Sequence, residues 1–440
     1  MVRTNSAARI PTRELQYAGV LIGIIVGALL VRQDDCAAAG TSCFNLIQFS
    51  LNGVLVGGLY ALVALGIVII NKASGVFNFA HGYMMLIGGL LFWQTFQGTP
   101  STQLSLILAG VAASVVMSVV STGIEISPRE GENSLQRLIR RMSTPRFMMA
   151  AAAGLVTGAI IYWLFQNLEH QILRGALGSI IGSSAIGLVA ERFAIRPLLG
   201  QPVLSAIMMT LAISLLLQGM VALFWGTQSK ELPIFNEPAQ ESKYLIGIDA
   251  DGNNIYAVTT TPGSTKPNYT VSTTDLLGKD LSFQRNLVWG FVIAISCFIG
   301  FVIFFQFTSM GLMMRAVAEN QVLGESIGLR VRTILAVAWA IAATMAMVAG
   351  VVQGTGPGVG VSTLVIPSLA FRAFPAVLLG GLESITGALV GGLIIGVVEA
   401  LTISLIDPTT GQEFAPFALL LIVLMIRPDG LFGQRRIDRV

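Results

Sequence analysis

The stretch LNGVLVGGLYALVALGIVII, residues 51–70, decides the fold class of this chain because it is 20 residues long and contains no charged side chain. As an α-helix it would be about 30 Å long, which is the thickness of the hydrocarbon core of a bilayer. Around it, residues 44–123 contain a single formal charge, Lys72, and residues 333–371 contain none. A soluble fold needs a solvated face, and these stretches do not provide one.

Apolar runs of similar length recur along all 440 residues, of which 54% are hydrophobic and only 11% charged. About a quarter of the residues of an ordinary soluble domain are charged. The chain is therefore predicted to be all-α, a polytopic transmembrane helical bundle of about 10–12 spans. The predicted spans are residues 17–31, 44–70, 76–96, 104–123, 147–165, 176–190, 203–225, 286–307, 333–353, 365–382, 386–405 and 413–427.

The distribution of arginine predicts how these spans are oriented, because basic connections stay on the cytoplasmic side. Four segments are basic, and all four fall on one side if the spans alternate: residues 1–16, 124–146, 308–332 and 427–440. The opposite side receives the long segment 226–285, which carries five basic and seven acidic residues. Both termini are therefore expected in the cytoplasm. Twelve crossings agree with this, because an even number of spans returns the chain to the side on which it began.

The long external loop has a polar composition and contains YLIGIDADGNNIYAVTT, residues 244–260. Two β-favouring runs flank Asp251 and Gly252, a pair typical of a hairpin turn, so the loop is expected to form a small β-hairpin. It is either a surface insertion without function or a docking surface for an external partner.

The N-terminal region allows two interpretations. Residues 17–31 are either an uncleaved first helix, which we favour, or the apolar core of a secretory signal peptide. Cys36 and Cys43 would follow it in a loop that faces an oxidising compartment, where they could form a disulfide. The sequence leaves that pairing open.

Catalytic and nucleotide-binding patterns are missing from the sequence. The pair Gly278-Lys279 lacks the glycine that a phosphate-binding P-loop places five residues earlier. His81 and His170 lie far apart, and no GxSxG, HExxH or acidic metal cluster occurs. We therefore expect no enzyme activity, no cofactor and no metal, and no hydrolysis of ATP by the chain itself.

Several motifs together resemble the membrane permeases of bacterial ABC importers for branched-chain amino acids. The similarity begins with residues 51–70 and with GVFNFAHGYMMLIGG. Later segments follow in the order of the family: ERFAIRPLLGQPVLSAIMMTLAISLLLQ at 191–218, SMGLMMRAVAENQVLGESIGLRV at 309–331, AVLLGGLESITGALVGGLIIGVVEAL at 376–401 and RPDGLFG at 427–433. The resemblance covers about three quarters of the chain. Permeases for urea and short amides share much of this pattern, so the substrate is less specified than the family.

The departures from the family pattern suggest a division of the chain. The predicted regions are an extra N-terminal span and external loop (1–43), first permease helices (44–123), an inserted cytoplasmic loop and helices (124–180), central permease helices (181–225), the external polar loop (226–285) and C-terminal permease helices (286–440).

The basic segment 308–332 is similar to the main cytoplasmic loop of the family. A short polar helix is expected to start near a possible cap at Ser309 and to carry Arg315, Glu319 and Asn320. The resemblance implies that this is the coupling helix, which sits in a groove of the ATPase, and that Gly328 lets the chain turn back. The alternative is an ordinary solvated loop.

The FNFAHG segment places Asn78 and His81 in apolar surroundings, where an unsatisfied polar group is costly. They either face a translocation pathway or hold a broken helix by bonding freed backbone carbonyls.

Arg372 and Glu399 are ionisable residues within predicted spans, where charges are expensive and usually face a bundle interior or a cavity. If residues 383–385 form a turn, the antiparallel helices place both side chains roughly 20 Å above it, so we predict that they interact or share a water-filled cavity. The alternative is that each extends to the interface alone. Six glycines flank this hairpin, including two pairs at four-residue spacing in GALVG and GLIIG, and they predict close helix packing. They are Gly380, Gly381, Gly387, Gly391, Gly392 and Gly396.

The resemblance implies a permease subunit of the bacterial inner membrane. It would pair with a second permease, two ATPase subunits and an external substrate-binding protein, in contact with lipid and without nucleic acid. The alternatives are a permease for urea or short amides, and a secondary transporter or channel that works alone. An intramembrane enzyme is the weakest alternative, since clustered catalytic groups are missing.

Overall fold

A computed structural model describes residues 42–97, 110–111, 113, 144–198, 200–235, 240–248, 254–261, 268–271, 281–356, 359–405 and 408–433. The predicted span 17–31, most of the span 104–123, Cys36 and the side chain of Cys43 lie outside the described residues.

The described chain is dominated by helices. The first six are α1 (Ser42–Ser74), α2 (His81–Phe96), α3 (Pro145–Asn167), α4 (Gln171–Val189), α5 (Val203–Phe224) and α6 (Arg285–Phe307). The remaining six are α7 (Ser309–Glu319), α8 (Gln321–Ser326), α9 (Val331–Gly354), α10 (Val365–Gly380), α11 (Ile385–Leu405) and α12 (Pro408–Ile426). Among the described residues, seven helical segments are long and apolar enough to cross a membrane, and shorter apolar helices accompany them. The prediction of an all-α polytopic bundle is confirmed.

Helix α1 lies at the centre of the bundle. It packs most extensively against α11 and also contacts α9, α6 and α10. The charge-free run identified in the sequence is buried from Gly57 to Ile70, with Tyr60, Leu65 and Ile70 each no more than 1% exposed. A helix that is apolar on every side is expected in the interior of a bundle. A second group joins α2, α4 and α9.

Helices α3, α5 and α6 lie at the periphery, since only a minority of each apolar window is buried. Large apolar side chains such as Leu155, Leu215 and Ile299 point outwards from them. In water this exposure would be unfavourable, whereas in a bilayer these side chains contact the lipid tails or a neighbouring subunit.

Two ends of the bundle can be distinguished. At the first, which we call the basic end, Lys72 Nζ donates to the Glu383 carbonyl at 3.0 Å and Gln321 Nε2 donates to the Ala73 carbonyl at 3.1 Å. At the opposite end, which we call the loop end, Lys230 forms an antiparallel bridge with Val361. The basic end therefore gathers the end of α1, the α10–α11 turn and the segment 308–332.

The loop end contains the described strands. Strands β1 (Gln240–Ile248) and β2 (Asn254–Thr261) form an antiparallel pair, with a register shift between Leu245 and Gly247. This confirms the hairpin predicted around Asp251 and Gly252, although the turn itself lies outside the described residues. Strands β3 (Asn268–Val271) and β4 (Leu281–Gln284) form a second antiparallel pair.

The second strand pair is attached to the start of α6 by aromatic contacts. The Trp289 indole N–H donates to the Tyr269 hydroxyl at 3.2 Å, and the Arg285 guanidinium lies 5.3 Å from the centre of the Tyr269 ring. Phe235 stacks on Trp289 at 6.3 Å. Aromatic side chains with a polar group are favoured at membrane–water boundaries, so this cluster is typical of a membrane interface.

Candidate functional site

Arg372 and Glu399 form an ion pair within the bundle. Arg372 Nη1 lies 3.6 Å from Glu399 Oε1, and the side chains are 19% and 6% exposed. The predicted contact between α10 and α11 is therefore confirmed, and the alternative in which each charge extends separately to the interface is wrong. The functional role of the pair stays a prediction.

Tyr60 of α1 is a third member of this site that the sequence analysis missed. Its hydroxyl donates to Glu399 Oε2 at 2.5 Å, and the residue is fully buried. Each carboxylate oxygen thus has a different partner, from α1 on one side and from α10 on the other. A buried tyrosine hydroxyl usually has a hydrogen-bond partner, so a tyrosine within a charge-free span was the available signal. We call Tyr60, Arg372 and Glu399 the embedded cluster.

Glycines bring the three helices of the embedded cluster together. On α11, Gly387 and Gly391 face α10, where an added Cβ would meet the backbone of Gly380 or Ala376. Gly392 and Gly396 face α1, where a Cβ would meet the backbone of Ala61 or Gly57. The predicted close packing is confirmed, and it occurs on two sides of the same helix. Helix α11 is thereby held between the two helices that contribute Tyr60 and Arg372.

Asn78 and His81 lie at the break between α1 and α2. The Asn78 Oδ1 atom accepts a hydrogen bond from the backbone N–H of Ala80 at 3.0 Å, and Gly75 enters the break with φ of 68°. Asn78 therefore holds the broken segment, but it accepts from a backbone N–H, and the expectation that it would bond freed carbonyls is wrong in that detail. Both side chains are fully buried.

The His81 imidazole packs against Gly66 of α1, where a Cβ would approach its Cε1 atom to 2.5 Å. Within the described part of the chain, neither ring nitrogen has a hydrogen-bond partner. The same broken segment contacts α10, since Phe77 and Phe79 lie 4.9 Å and 5.5 Å from the ring of Phe374.

The predicted coupling segment forms two short helices, α7 and α8, at the basic end. Helix α7 is amphipathic and buries Gly311, Met314 and Val317, while Glu319 is exposed. Its cap is Thr308, whose hydroxyl accepts from the N–H of Gly311 at 3.0 Å, so the prediction of a cap at Ser309 is wrong by one residue. Ser309 is already in the helix.

Asn320 occupies the corner between α7 and α8. It ends α7, and its Oδ1 atom accepts from the Leu323 N–H at 3.0 Å as the N-cap of α8. Asparagine is among the best N-cap residues because its side chain satisfies a free N–H of the first turn. Gly328 has φ of 86°, which confirms that it lets the chain turn back into α9.

Arg315 is directed back towards the bundle. Its Nη2 atom donates to the Gln306 carbonyl at 3.3 Å, and its guanidinium lies 5.7 Å from the centre of the Phe305 ring. Both partners belong to the last turns of α6, where a cation is favoured by the helix dipole. Arg315 thus joins α7 to α6, and Glu319 and Asn320 are the more exposed of the predicted coupling side chains.

The segment after α4 contains a buried ion pair. A π-helical turn, Ala190–Ile195, is followed by Arg196, whose Nε and Nη2 atoms each donate to a different oxygen of Glu191 at 3.0 Å. The Glu191 side chain is 1% exposed and that of Arg196 21%. This bidentate pair holds the turn between α4 and α5.

Replacing Arg196 by alanine is expected to cost about 3 kcal/mol of stability, because the buried Glu191 would lose both hydrogen bonds of its bidentate partner. Glu191→Gln should cost less, because the partly exposed Arg196 can turn towards solvent. Thermal unfolding of the two purified variants checks this order. Equal unfolding temperatures for both variants and the wild type would show that the pair contributes nothing.

Comparisons with known proteins agree with this architecture. The family model described as "Branched-chain amino acid transport system / permease component" matches residues 49–127 and 143–426. The high-affinity branched-chain amino acid transport system permease protein LivH of Salmonella typhimurium is 27% identical over 399 residues, which cover 90% of this chain and 97% of the relative. The corresponding permease protein BraD of Pseudomonas aeruginosa is 26% identical over 401 residues, which cover 90% and 99%.

A more distant relative is the probable branched-chain amino acid transport permease protein LivH of Methanocaldococcus jannaschii, 29% identical over 181 residues that cover 39% of this chain and 55% of the relative. No solved structure matches the chain. The family match covers well over half of the sequence and runs from α1 to α12, through the embedded cluster and the α7–α8 segment. The chain therefore belongs to the family of branched-chain amino acid transport system permease components.

Proposed function

We propose that this chain is a permease subunit of an ABC importer and forms part of a transmembrane pathway for branched-chain amino acids. The observation that carries the proposal is the helix pair α7–α8, which presents the exposed residues Glu319 and Asn320 beside the ends of the bundle helices. Relatives named as branched-chain amino acid permeases support the substrate class.

The proposed assembly contains a second permease, two ATPase subunits that bind ATP, and an external substrate-binding protein. In this proposal ATP is bound and hydrolysed by the partner subunits, and neither a cofactor nor a catalytic role is assigned to the chain itself. The basic end would face the cytoplasm with both termini, and segment 226–285 would face outwards. The peripheral helices would contact lipid. The boundaries predicted between the regions of the chain, after residues 43, 123, 180, 225 and 285, belong to the same proposal.

The contacts of α7 and α8 provide a route for mechanical coupling. Arg315 joins α7 to the end of α6, and Gln321 joins α8 to the end of α1. Helix α1 in turn packs along α11, which carries Glu399. Closure of an ATPase against α7–α8 would therefore displace the helices that hold the embedded cluster.

The experiment is uptake by proteoliposomes that contain this chain with its co-purified partners and the binding protein. Labelled leucine should accumulate only with internal ATP, and labelled urea should not. Uptake of urea without leucine would assign the chain to the amide branch. Leucine uptake that persists without any ATPase subunit would contradict the proposal.

Replacement of Asn320 by alanine is expected to lower coupled uptake several-fold while ATP hydrolysis continues. The change removes the N-cap of α8, which is worth about 1 kcal/mol, and so disorders the corner between the two helices. The ratio of leucine transported to ATP hydrolysed measures the effect. The matched control is Asn167→Ala, an exposed asparagine at the end of α3, which should leave the ratio unchanged. An unchanged ratio in Asn320→Ala would argue against a coupling role for this corner.

A further inference from the structure

The Arg372–Glu399 ion pair of the embedded cluster is widely spaced, and its two side chains differ in exposure. Its 3.6 Å separation is longer than the 2.7–2.9 Å of a tight charge-assisted hydrogen bond. Arg372 remains 19% exposed, whereas Glu399 is buried and held by Tyr60 through its other oxygen. One charge is therefore fixed in place, and the other can be reached from the surface of the chain.

The surface beside Arg372 combines apolar and polar groups. Leu364, the N-cap of α10, and Ser368 and Phe371 within α10 are exposed, and their spacing of four and three residues places them on one side of this segment. Arg372 Nη2 donates to the Ser368 hydroxyl at 3.4 Å. Phe371, the neighbour of Arg372 in the chain, packs edge-on against Phe374 with 5.6 Å between the ring centres, which restricts the orientation of its ring. The stripe thus places exposed apolar side chains on the same helix as Arg372, the cation that pairs with the buried Glu399.

The charges of Arg372 and Glu399 favour one class of ligand at this ion pair. The pair is neutral overall, and a bound zwitterion is neutral too, so loading the site would bury no net charge in the membrane. A guanidinium binds a carboxylate well, and a carboxylate accepts hydrogen bonds from an ammonium group. A ligand with only one of these charges would leave one member of the pair without its partner.

We propose that Arg372 and Glu399 form a transient binding site for a zwitterionic α-amino acid on its way through the membrane. Arg372 contacts the carboxylate of the amino acid and Glu399 its ammonium group, while Tyr60 positions the Glu399 carboxylate. The side chain of the amino acid packs on Phe371 and Leu364. This site rests on the proposed transport function and names where, within this chain, the solute is recognised.

The test is direct binding of labelled leucine to the purified permease–ATPase complex in nanodiscs without the binding protein. Saturable binding is expected. Unlabelled 3-methylbutylamine, which is leucine without its carboxylate, and 4-methylpentanoate, which lacks the ammonium group, should each compete at least about tenfold more weakly than leucine. Equal competition by the three compounds, or no saturable binding, would overturn the proposal, and this arm requires no variant to fold.

The variant arm uses Glu399→Gln and Arg372→Gln, each of which should weaken leucine binding at least about tenfold. Tyr60→Phe should weaken it less, because it removes only the positioning hydrogen bond. Glu399→Asp keeps the charge and should recover part of the binding that Glu399→Gln loses. The matched control is Thr402→Ala on the same helix, whose hydroxyl bonds its own backbone at Val398; its affinity should equal that of the wild type. Wild-type affinity in well-folded Glu399→Gln would count against the site.

The two proposals fail in different ways. If wild-type proteoliposomes accumulate leucine with ATP but the nanodisc complex binds the three compounds equally, the proposed transport function is supported and the proposed binding site is wrong. If the wild-type complex accumulates urea in place of leucine, the proposed function itself falls.

Discussion

Replacing Arg372 by methionine is expected to lower the stability of the folded chain by about 3–5 kcal/mol, because the buried Glu399 would lose its cation. Tyr60 would still donate to the carboxylate, but one hydrogen bond does not compensate a buried charge. Unfolding in a denaturing detergent, or the thermal unfolding temperature of the purified protein, measures the loss.

The control for this prediction is the double variant Arg372→Met with Glu399→Gln. It should recover most of the loss, because a neutral amide still accepts the Tyr60 hydrogen bond and no longer needs a cation. Recovery of this size is a coupling energy in a double-mutant cycle. Strictly additive losses would show that the two side chains do not interact in the folded protein.

Exchange of the two charges is a less direct test than the neutral double variant. Swapping arginine and glutamate would test the pairing directly if neither side chain had another partner. The phenolic hydroxyl donates to residue 399, and a guanidinium placed there offers no acceptor for that proton in a buried site. The exchange should therefore restore less stability than the neutral pair, and a comparison of the two double variants checks this.

Replacing Gly396 by leucine is expected to prevent recovery of folded protein. A Cβ at this position would lie within 2.5 Å of the Gly57 backbone on α1. Overpacking against side chains typically costs about 1–3 kcal/mol, and here the obstacle is backbone, which cannot change rotamer. The two helices would have to separate, and that would draw Tyr60 away from Glu399.

The matched control is Gly300→Leu on α6, where an added Cβ meets no atom within 4 Å. Both changes place the same side chain on a transmembrane helix, so their hydrophobicity is equal. Size-exclusion chromatography in mild detergent should give a single peak for Gly300→Leu and aggregate for Gly396→Leu. A single symmetric peak for both variants would contradict the close α1–α11 contact.

The sequence was informative wherever a property depends on local pattern. Charge-free runs identified the class and most of the helices, because a bilayer requires about 20 apolar residues for each span. The order of turn residues located the hairpin and the turn at Gly328, since only a few residues favour those backbone conformations. Helix length and rise placed Arg372 and Glu399 at a common level, because an α-helix advances by a constant distance per residue.

Two kinds of feature could not be predicted from local sequence pattern. They are the exact residue at which a helix begins and the contacts between segments that are distant along the chain. The cap at Thr308 instead of Ser309 is a difference of one residue, which pattern alone does not resolve. The return of Arg315 to α6 depends on where the end of that helix lies in three dimensions. Glu191 was part of a quoted motif, but its burial and its bidentate contact with Arg196 follow from a π-helical turn that no hydrophobic period indicates.

By itself, the sequence determined that this protein is a multi-span helical membrane protein and that two embedded charges lie at one level, because both conclusions follow from hydrophobic length and residue spacing. Only the tertiary structure decided which third residue completes the embedded cluster and which face of α11 meets which helix. Tyr60 and Glu399 are 339 residues apart along the chain. Their contact exists because glycines let α1, α10 and α11 approach closely, and no local pattern states which helices will do so.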